Sequence, residues 1–291
     1  MLHLPLWSIY LVSLHYHLKL SGESFQWQDL VILAGTTLLA AAAYYINQVY
    51  DVGTDRVNRK LGFLQGNFVS VGGLTALYIA LSVAAVAVVA MLSPVTLGIF
   101  LAAFVLGYFY STPPLKLKDR PVAGLVVNAV GIGFMVPVLV MPDASVHNIG
   151  LLGWDNPLYF MLAVGSIYLL TTLPDREGDA AAGKRTAAVV LPRMFVLLGA
   201  LILILLAAYT ARRSGHELLS YLALASSALI LVNLMLRKAA LELAAAKIPI
   251  LLLTALAGYF FPLYLLIIVA IIFAGRIYYK KRFGVIYPRL A

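Results

Sequence analysis

The chain has 291 residues, 63% of them hydrophobic and only 11% charged, with a mean hydropathy of +0.95. Soluble domains carry about a quarter charged residues, so this composition excludes the soluble globular class and points to a polytopic membrane protein. Cysteine is absent, which removes disulfides, thiolate chemistry and Cys-based metal sites; in an apolar chain the net charge of +9 reads as orientation and lipid-surface contact, not as nucleic-acid binding.

A helix needs roughly 20 apolar residues to cross the hydrocarbon core. Nine stretches qualify, near residues 2–20, 29–48, 68–92, 94–110, 121–141, 157–173, 189–211, 217–236 and 249–275. The N-terminus lacks a basic n-region, so the first run is expected to be a span and not a cleavable leader. His3, His15 and His17 interrupt it, and Pro262 is expected to kink the last. Basic residues then set the orientation. Arg56, Arg59 and Lys60 follow span 2; Lys116, Lys118 and Arg120 follow span 4. Arg176, Lys184, Arg185 and Arg193 follow span 6, and Arg237, Lys238 and Lys247 follow span 8. The opposite loops hold Lys19, Arg212 and Arg213 alone, so the even-numbered side is expected to be cytoplasmic. With nine spans, the basic tail after Arg276 falls on the other side, against the rule.

Asn47, Asp51 and Asp55 stand four residues apart at the end of the second run, which puts them on one helix face. Asp175 and Asp179 repeat the spacing at the end of the sixth. Asp51 to Asp175 and Asp55 to Asp179 are both 124 residues, the length of four spans with their loops. The chain therefore reads as two related four-helix halves plus a ninth helix. Carboxylates at membrane depth are expensive unless they meet cations. Two such pairs on one side make an oxygen donor set for a hard divalent ion, Mg²⁺, carrying a phosphate ligand. Counter-charge for that phosphate lies close by. Tyr110 and Ser111 offer hydroxyls at the end of span 4, and the double proline at 113–114 stops the helix. Lys116 and Lys118 alternate, so in an extended segment they share a face. Lys184 and Arg185 follow the second acidic pair. A diphosphate held by metal on one side needs such donors on the other. Gly131 and Gly133 lie inside an apolar span and read as close helix packing.

These motifs resemble those of the intramembrane aromatic prenyltransferases of the UbiA superfamily. The matching residues are Asn47, Asp51, Asp55, Arg56, Asn58 and Arg59, then Tyr110, Ser111, Lys116 and Lys118, then Asp175, Asp179 and Gly183 to Thr186. Their order fits the whole chain, 1–291, as a single membrane domain. The resemblance implies an all-α membrane protein, nine transmembrane helices around a central cavity open toward lipid. It implies two Mg²⁺ ions bridging the acidic motifs and a prenyl diphosphate, geranyl to polyprenyl. Asn47, Asp51, Asp55, Asp175 and Asp179 would be metal ligands, the four aspartates carrying catalysis. Arg59, Tyr110, Lys116, Lys118 and Lys184 would contact the diphosphate, with Arg185 beside them. The implied reaction transfers the prenyl group through an allylic cation to an aromatic or other lipid-precursor acceptor, at the cytoplasmic side of the membrane. The chain departs from the family pattern at Lys60 to Gly66, which holds no proline and no second arginine. No basic residue precedes Lys19 in span 1. Two rivals use the same acids: a membrane terpene cyclase without an acceptor, and a cation-coupled transporter. The transporter places its ion site near the midplane, whereas these acids stand at span ends.

Overall fold

Apolar chain in lipid must satisfy every backbone polar group internally, which leaves helices or closed barrels. The computed structural model describes residues 3–57, 62, 64–141 and 151–284. Among these, all regular structure is helical. The long helices in chain order are α1 (His3–Ser21), α2 (Trp27–Val57), α3 (Val71–Val89), α4 (Pro94–Ser111) and α5 (Pro121–Val138). They continue with α6 (Asp155–Thr172), α7 (Arg193–Arg213), α8 (Glu217–Leu236), α9 (Ala239–Phe260) and α10 (Pro262–Phe283). All except α1 and α6 are long and apolar enough, by length and composition, to cross a membrane. Two short helices, Arg176–Ala181 and Ala187–Val190, lie between α6 and α7.

The C-terminal stretch differs from the expectation of one kinked span over 249–275. It is two helices, α9 and α10, parted at Phe261. Pro262 has no N–H to give α9 and is pre-set for the first turn of a new helix. The chain then turns back: Tyr264 bonds to Ser8, and Leu265 lies against Gly258. Pro249, by contrast, is carried inside α9.

Polar clamps mark the two ends of the bundle. At one end the Arg193 guanidinium at the start of α7 donates to Glu242 near the start of α9 and to Asn233 near the end of α8. At the other, Arg213 and Ser214 both donate to the buried Asp155 at the start of α6. Between them the helices approach through small residues. Ser166 of α6 donates to the Ala200 carbonyl of α7 at 2.7 Å, and Ala200, Ala207 and Ala211 are fully buried along that seam.

α5 carries a π-helical stretch over Ala129–Phe134. Its two glycines do different things. A Cβ on Gly133 would lie 2.5 Å from the Phe160 carbonyl oxygen and 2.6 Å from Met161 Cα, so α5 and α6 touch there backbone to backbone. A Cβ on Gly131 would meet nothing within 4 Å. Close packing therefore holds for Gly133 and not for Gly131. Gly133→Ala is expected to destabilise the protein by about 1–3 kcal/mol through forced separation of α5 from α6, and Gly131→Ala by less than about 0.5 kcal/mol. Thermal melts of the two variants in detergent check the difference; equal melting temperatures would refute the contact.

Candidate functional site

α2 has 31 residues, about 46 Å at 1.5 Å per residue. That exceeds the roughly 30 Å hydrocarbon core, so the helix continues past its apolar run and carries Asn47, Asp51 and Asp55 on one face of its last turns. The end of α4, the turn after it, the end of α6 and the short helix Arg176–Ala181 converge on this face. Asp179 follows Asp175 by one helical turn, its N–H bonded to the Asp175 carbonyl at 2.9 Å.

Asp51 is the hub. Its Oδ2 lies 2.9 Å from the Lys118 ammonium and its Oδ1 2.9 Å from the Lys184 ammonium, with side-chain exposures of 11% for Asp51, 7% for Lys118 and 13% for Lys184. Lys118 also donates to Asn47 Oδ1 at 2.6 Å, which accepts from Ser111 as well at 3.0 Å. The Lys184 ammonium is 3.7 Å from both Asp179 and Asp119. Thr186 donates to the other oxygen of Asp179 at 3.2 Å. Burial pushes the Lys118 ammonium below the ordinary lysine range, and Asp51 beside it only partly offsets this. Burial acts the same way on Lys184, but Asp51, Asp179 and Asp119 outweigh it and hold that ammonium above the usual range.

Asn47, Asp51, Asp55, Asp175, Asp179, Tyr110, Lys118 and Lys184 all line one polar cavity of about 240 Å³. Lys116 and Arg185 are not among its lining residues. The segment after the double proline is not extended. Lys116 sits in the left-handed region at φ 39°, and Leu117–Asp119 form a 3-10 turn, so Lys118 points in without Lys116. Arg185 is exposed and contributes its backbone N–H to the Asp119 carbonyl. Glu177 is exposed and outside the cavity lining. Arg59 lies outside the described residues. The cavity adds Thr54, Asp119, Asn128, Tyr168, Thr171 and Thr172, which spacing alone does not single out, and includes Thr186 of the second motif. Asn128 carried a signal, as a lone amide inside an apolar span; it donates to Tyr110 at 3.1 Å. Asp119 Oδ1 is buried without a hydrogen bond, beside Lys184.

The donor set suits a hard divalent ion: carboxylates, an amide oxygen and hydroxyls, with no sulfur or imidazole. Among the described residues no group of three or more His, Cys, Asp or Glu side chains is placed to hold a metal ion. Mg²⁺ does not need such a group, since it takes one or two carboxylates and completes its shell with water and phosphate oxygens.

A second cavity, about 350 Å³, adjoins the first, sharing Asn47, Tyr110 and Asn128. Its walls are helical stripes: Thr36, Leu39, Ala40, Ala43 and Tyr44 on α2; Phe100, Ala103, Leu106 and Gly107 on α4; Gly131, Ile132, Met135, Val136 and Leu139 on α5. His3 and Leu6 of α1 close it on the remaining side. A polar cavity and an apolar one thus lie side by side.

A model of the UbiA prenyltransferase family matches residues 6–247. The chain is 31% identical over 189 residues to a lycopene elongase/hydratase of Halobacterium salinarum, covering 62% of this chain and 64% of that protein. It is 30% identical over 141 residues to a homogentisate solanesyltransferase of Arabidopsis thaliana, covering 46% of this chain and 36% of that one. The chain thus spans only about a third to two thirds of these relatives' lengths. Its fold is shared with a UbiA homolog from Archaeoglobus fulgidus, at a TM-score of 0.67 and 18% identity, over 88% of this chain and 94% of that one. The same homolog was also solved bound to GPP and Mg²⁺, at a TM-score of 0.63.

Proposed function

Because the chain belongs to the UbiA prenyltransferase family, we propose that it transfers a prenyl group from its diphosphate to an aromatic or other lipid-precursor acceptor within the membrane. One observation carries this reading: the acid-and-lysine cavity adjoins an apolar cavity, the two sharing Asn47, Tyr110 and Asn128 as walls. An amphiphile with a phosphate head and a hydrocarbon tail matches both cavities. The GPP and Mg²⁺ bound by the Archaeoglobus homolog support it.

Asn47, Asp51 and Asp55 from one side, and Asp175 and Asp179 from the other, would hold the metal, as one ion or two. Bound there, Mg²⁺ neutralises charge that develops on the departing diphosphate. Lys118 and Lys184 turn their ammonium groups from Asp51 to the diphosphate oxygens and stabilise the same charge. Asp119 remains beside Lys184 and keeps it at the cavity wall. The apolar cavity holds the tail and excludes water from C1, so that the allylic cation meets the acceptor before water. Tyr110 and Tyr168 both line the polar cavity, where a cation gains from a π face. Arg59 belongs to this reading on the family pattern alone, and Lys116, outside the cavity lining, has no contact assigned.

α2 and α6 ending at one site supports the two-halves reading of the sequence. Two helices, α9 and α10, where one span was expected, bring Lys280, Lys281 and Arg282 at the end of α10 to the same side as the site. That restores the positive-inside pattern and supports a cytoplasmic active site.

The test is purified protein with Mg²⁺, a prenyl diphosphate and a panel of phenolic and isoprenoid-alcohol acceptors, with products read by mass. A prenylated acceptor is expected. A cyclised hydrocarbon or alcohol from the donor alone would reassign the chain as a cyclase, and no consumption of donor with any acceptor would overturn the reading.

A further inference from the structure

Among the described residues three acids surround the Lys184 ammonium. Asp51 holds it at 2.9 Å, while Asp179 and Asp119 stand off at 3.7 Å each. Asp51 and Asp179 belong to the two acidic motifs at helix ends. Asp119 belongs to neither; it comes from the 3-10 turn after α4, next to Lys118 in the chain. The backbone fixes its place on both sides. Its N–H bonds to the Lys116 carbonyl at 2.9 Å, and its own carbonyl accepts from the Arg185 N–H at 3.0 Å. The second bond ties the turn that carries Lys118 to the loop that carries Lys184. The carboxylate is less well served. Its Oδ1, the atom that faces Lys184, is buried and has no hydrogen bond. A buried acceptor without a donor is costly, and native structures seldom leave one without a reason. The two lysines also differ in what they hold besides Asp51. Lys118 donates to Asn47 Oδ1 at 2.6 Å as well. The Lys184 ammonium donates to Asp51 and reaches its other acids only at 3.7 Å.

Resting on the reading of this cavity as a metal and diphosphate site, we propose that Asp119 is a positioning residue: the counter-ion onto which Lys184 moves when a divalent ion takes Asp51. The move is small. About 1 Å closes the gap to the length of a charge-assisted hydrogen bond. An ion that enters between the acidic motifs competes with Lys184 for Asp51 and claims Asp179 too. Without Asp119 the displaced ammonium would be buried and unpaired beside a divalent cation, and that cost would fall on metal binding. With Asp119, Lys184 keeps its charge and stays at the cavity wall, within reach of the diphosphate oxygens. The unbonded Oδ1 then has a purpose, as the acceptor half of a pair that forms when the metal arrives. Asp119 raises metal affinity through Lys184 and without touching the metal.

The test is a double-variant cycle on the full chain, read by paramagnetic resonance of unbound Mn²⁺. Asp119→Asn keeps the side-chain shape and removes the charge. In the absence of pyrophosphate it should weaken Mn²⁺ binding by about three- to tenfold, the scale of one close charge at moderate effective dielectric. In saturating inorganic pyrophosphate the loss should fall below about twofold, because Lys184 then pairs with phosphate oxygens. In a Lys184→Met background it should also fall below about twofold, since no ammonium remains to be moved. Asp119→Glu, which keeps the charge, should restore part of the affinity. A direct bond from Asp119 to the ion, or a purely structural role, would give the same loss in every setting. A loss of undiminished size in pyrophosphate or in the Lys184→Met background therefore overturns the proposal, and so does unchanged Mn²⁺ affinity in Asp119→Asn. If Asp119→Asn does not fold, Asp119→Ser takes its place in the same cycle. Failure of the natural protein to bind Mn²⁺ with or without pyrophosphate overturns the site reading, and the role of Asp119 with it.

Discussion

Asp51→Asn is expected to lower Mg²⁺-dependent release of pyrophosphate from prenyl diphosphate by a factor on the order of 10³, the scale of losing one preorganised charge at a developing anion. The same substitution should cost stability, and the geometry says why. Asp51 is the shared partner of two ammonium groups whose side chains are 7% and 13% exposed. Removing one partner of a buried pair strands the other, typically at about 3–5 kcal/mol. Lys118 softens this, since burial already lowers its pKa and it can shed its proton when Asp51 no longer opposes that. A loss of about 2–4 kcal/mol is therefore expected in Asp51→Asn, read as a lower melting temperature. Adding Lys118→Met should recover part of the melting temperature and none of the activity. That double variant separates the two roles. Recovered turnover would mean that Asp51 matters only as a counter-ion for lysine, and wild-type turnover in Asp51→Asn would remove it from the site.

What the sequence discloses of this site follows from cost. A carboxylate in an apolar chain is rare enough that each one carries information, so Asp51, Asp55, Asp175 and Asp179 and their helical spacing are legible. Lysine placement is not. Lys116 and Lys118 look equivalent on an extended chain, and only the turn after the double proline sends one into the cavity and the other away. Asp119 escapes notice because an acid among loop lysines looks like an ordinary solvated charge. The apolar cavity is invisible for a different reason. Cavity-facing and lipid-facing positions are both apolar in a membrane helix, so hydropathy cannot separate the stripe through Ala40, Ala43 and Tyr44 from the outside of α2. Gly131 and Gly133 show the limit most clearly: two identical residues in one span, one pressed against the Phe160 backbone and one beside open space. At the C-terminus, Pro262 was legible as an interruption, but whether a proline bends one helix or begins another depends on what the following turn packs against. Here Tyr264 finds Ser8 and Thr254 as partners, and α10 starts afresh.

Inorganic pyrophosphate is expected to tighten Mn²⁺ binding by about tenfold or more, after correction for their complex in solution, and by reciprocity Mn²⁺ should tighten pyrophosphate by the same factor. The reason is competition for one carboxylate. Both oxygens of Asp51 accept from ammonium groups at 2.9 Å, and they cannot serve two lysines and a divalent ion at full strength together. The ion alone must displace a cation and then sit among positive charges. With pyrophosphate present, Lys118 and Lys184 have a better partner, Asp51 is released, and the charge around the site balances. Lys184→Met should therefore strengthen Mn²⁺ binding in the absence of pyrophosphate, by about three- to tenfold for one close like charge at moderate effective dielectric, and should reduce the coupling. Paramagnetic resonance of unbound Mn²⁺ reads both quantities without turnover. A Mn²⁺ affinity unchanged by pyrophosphate, together with no gain in Lys184→Met, would show that the lysine–aspartate contacts do not oppose the metal. Asp51 would then be held by the lysines for folding, with the ion carried by Asp55, Asp175 and Asp179.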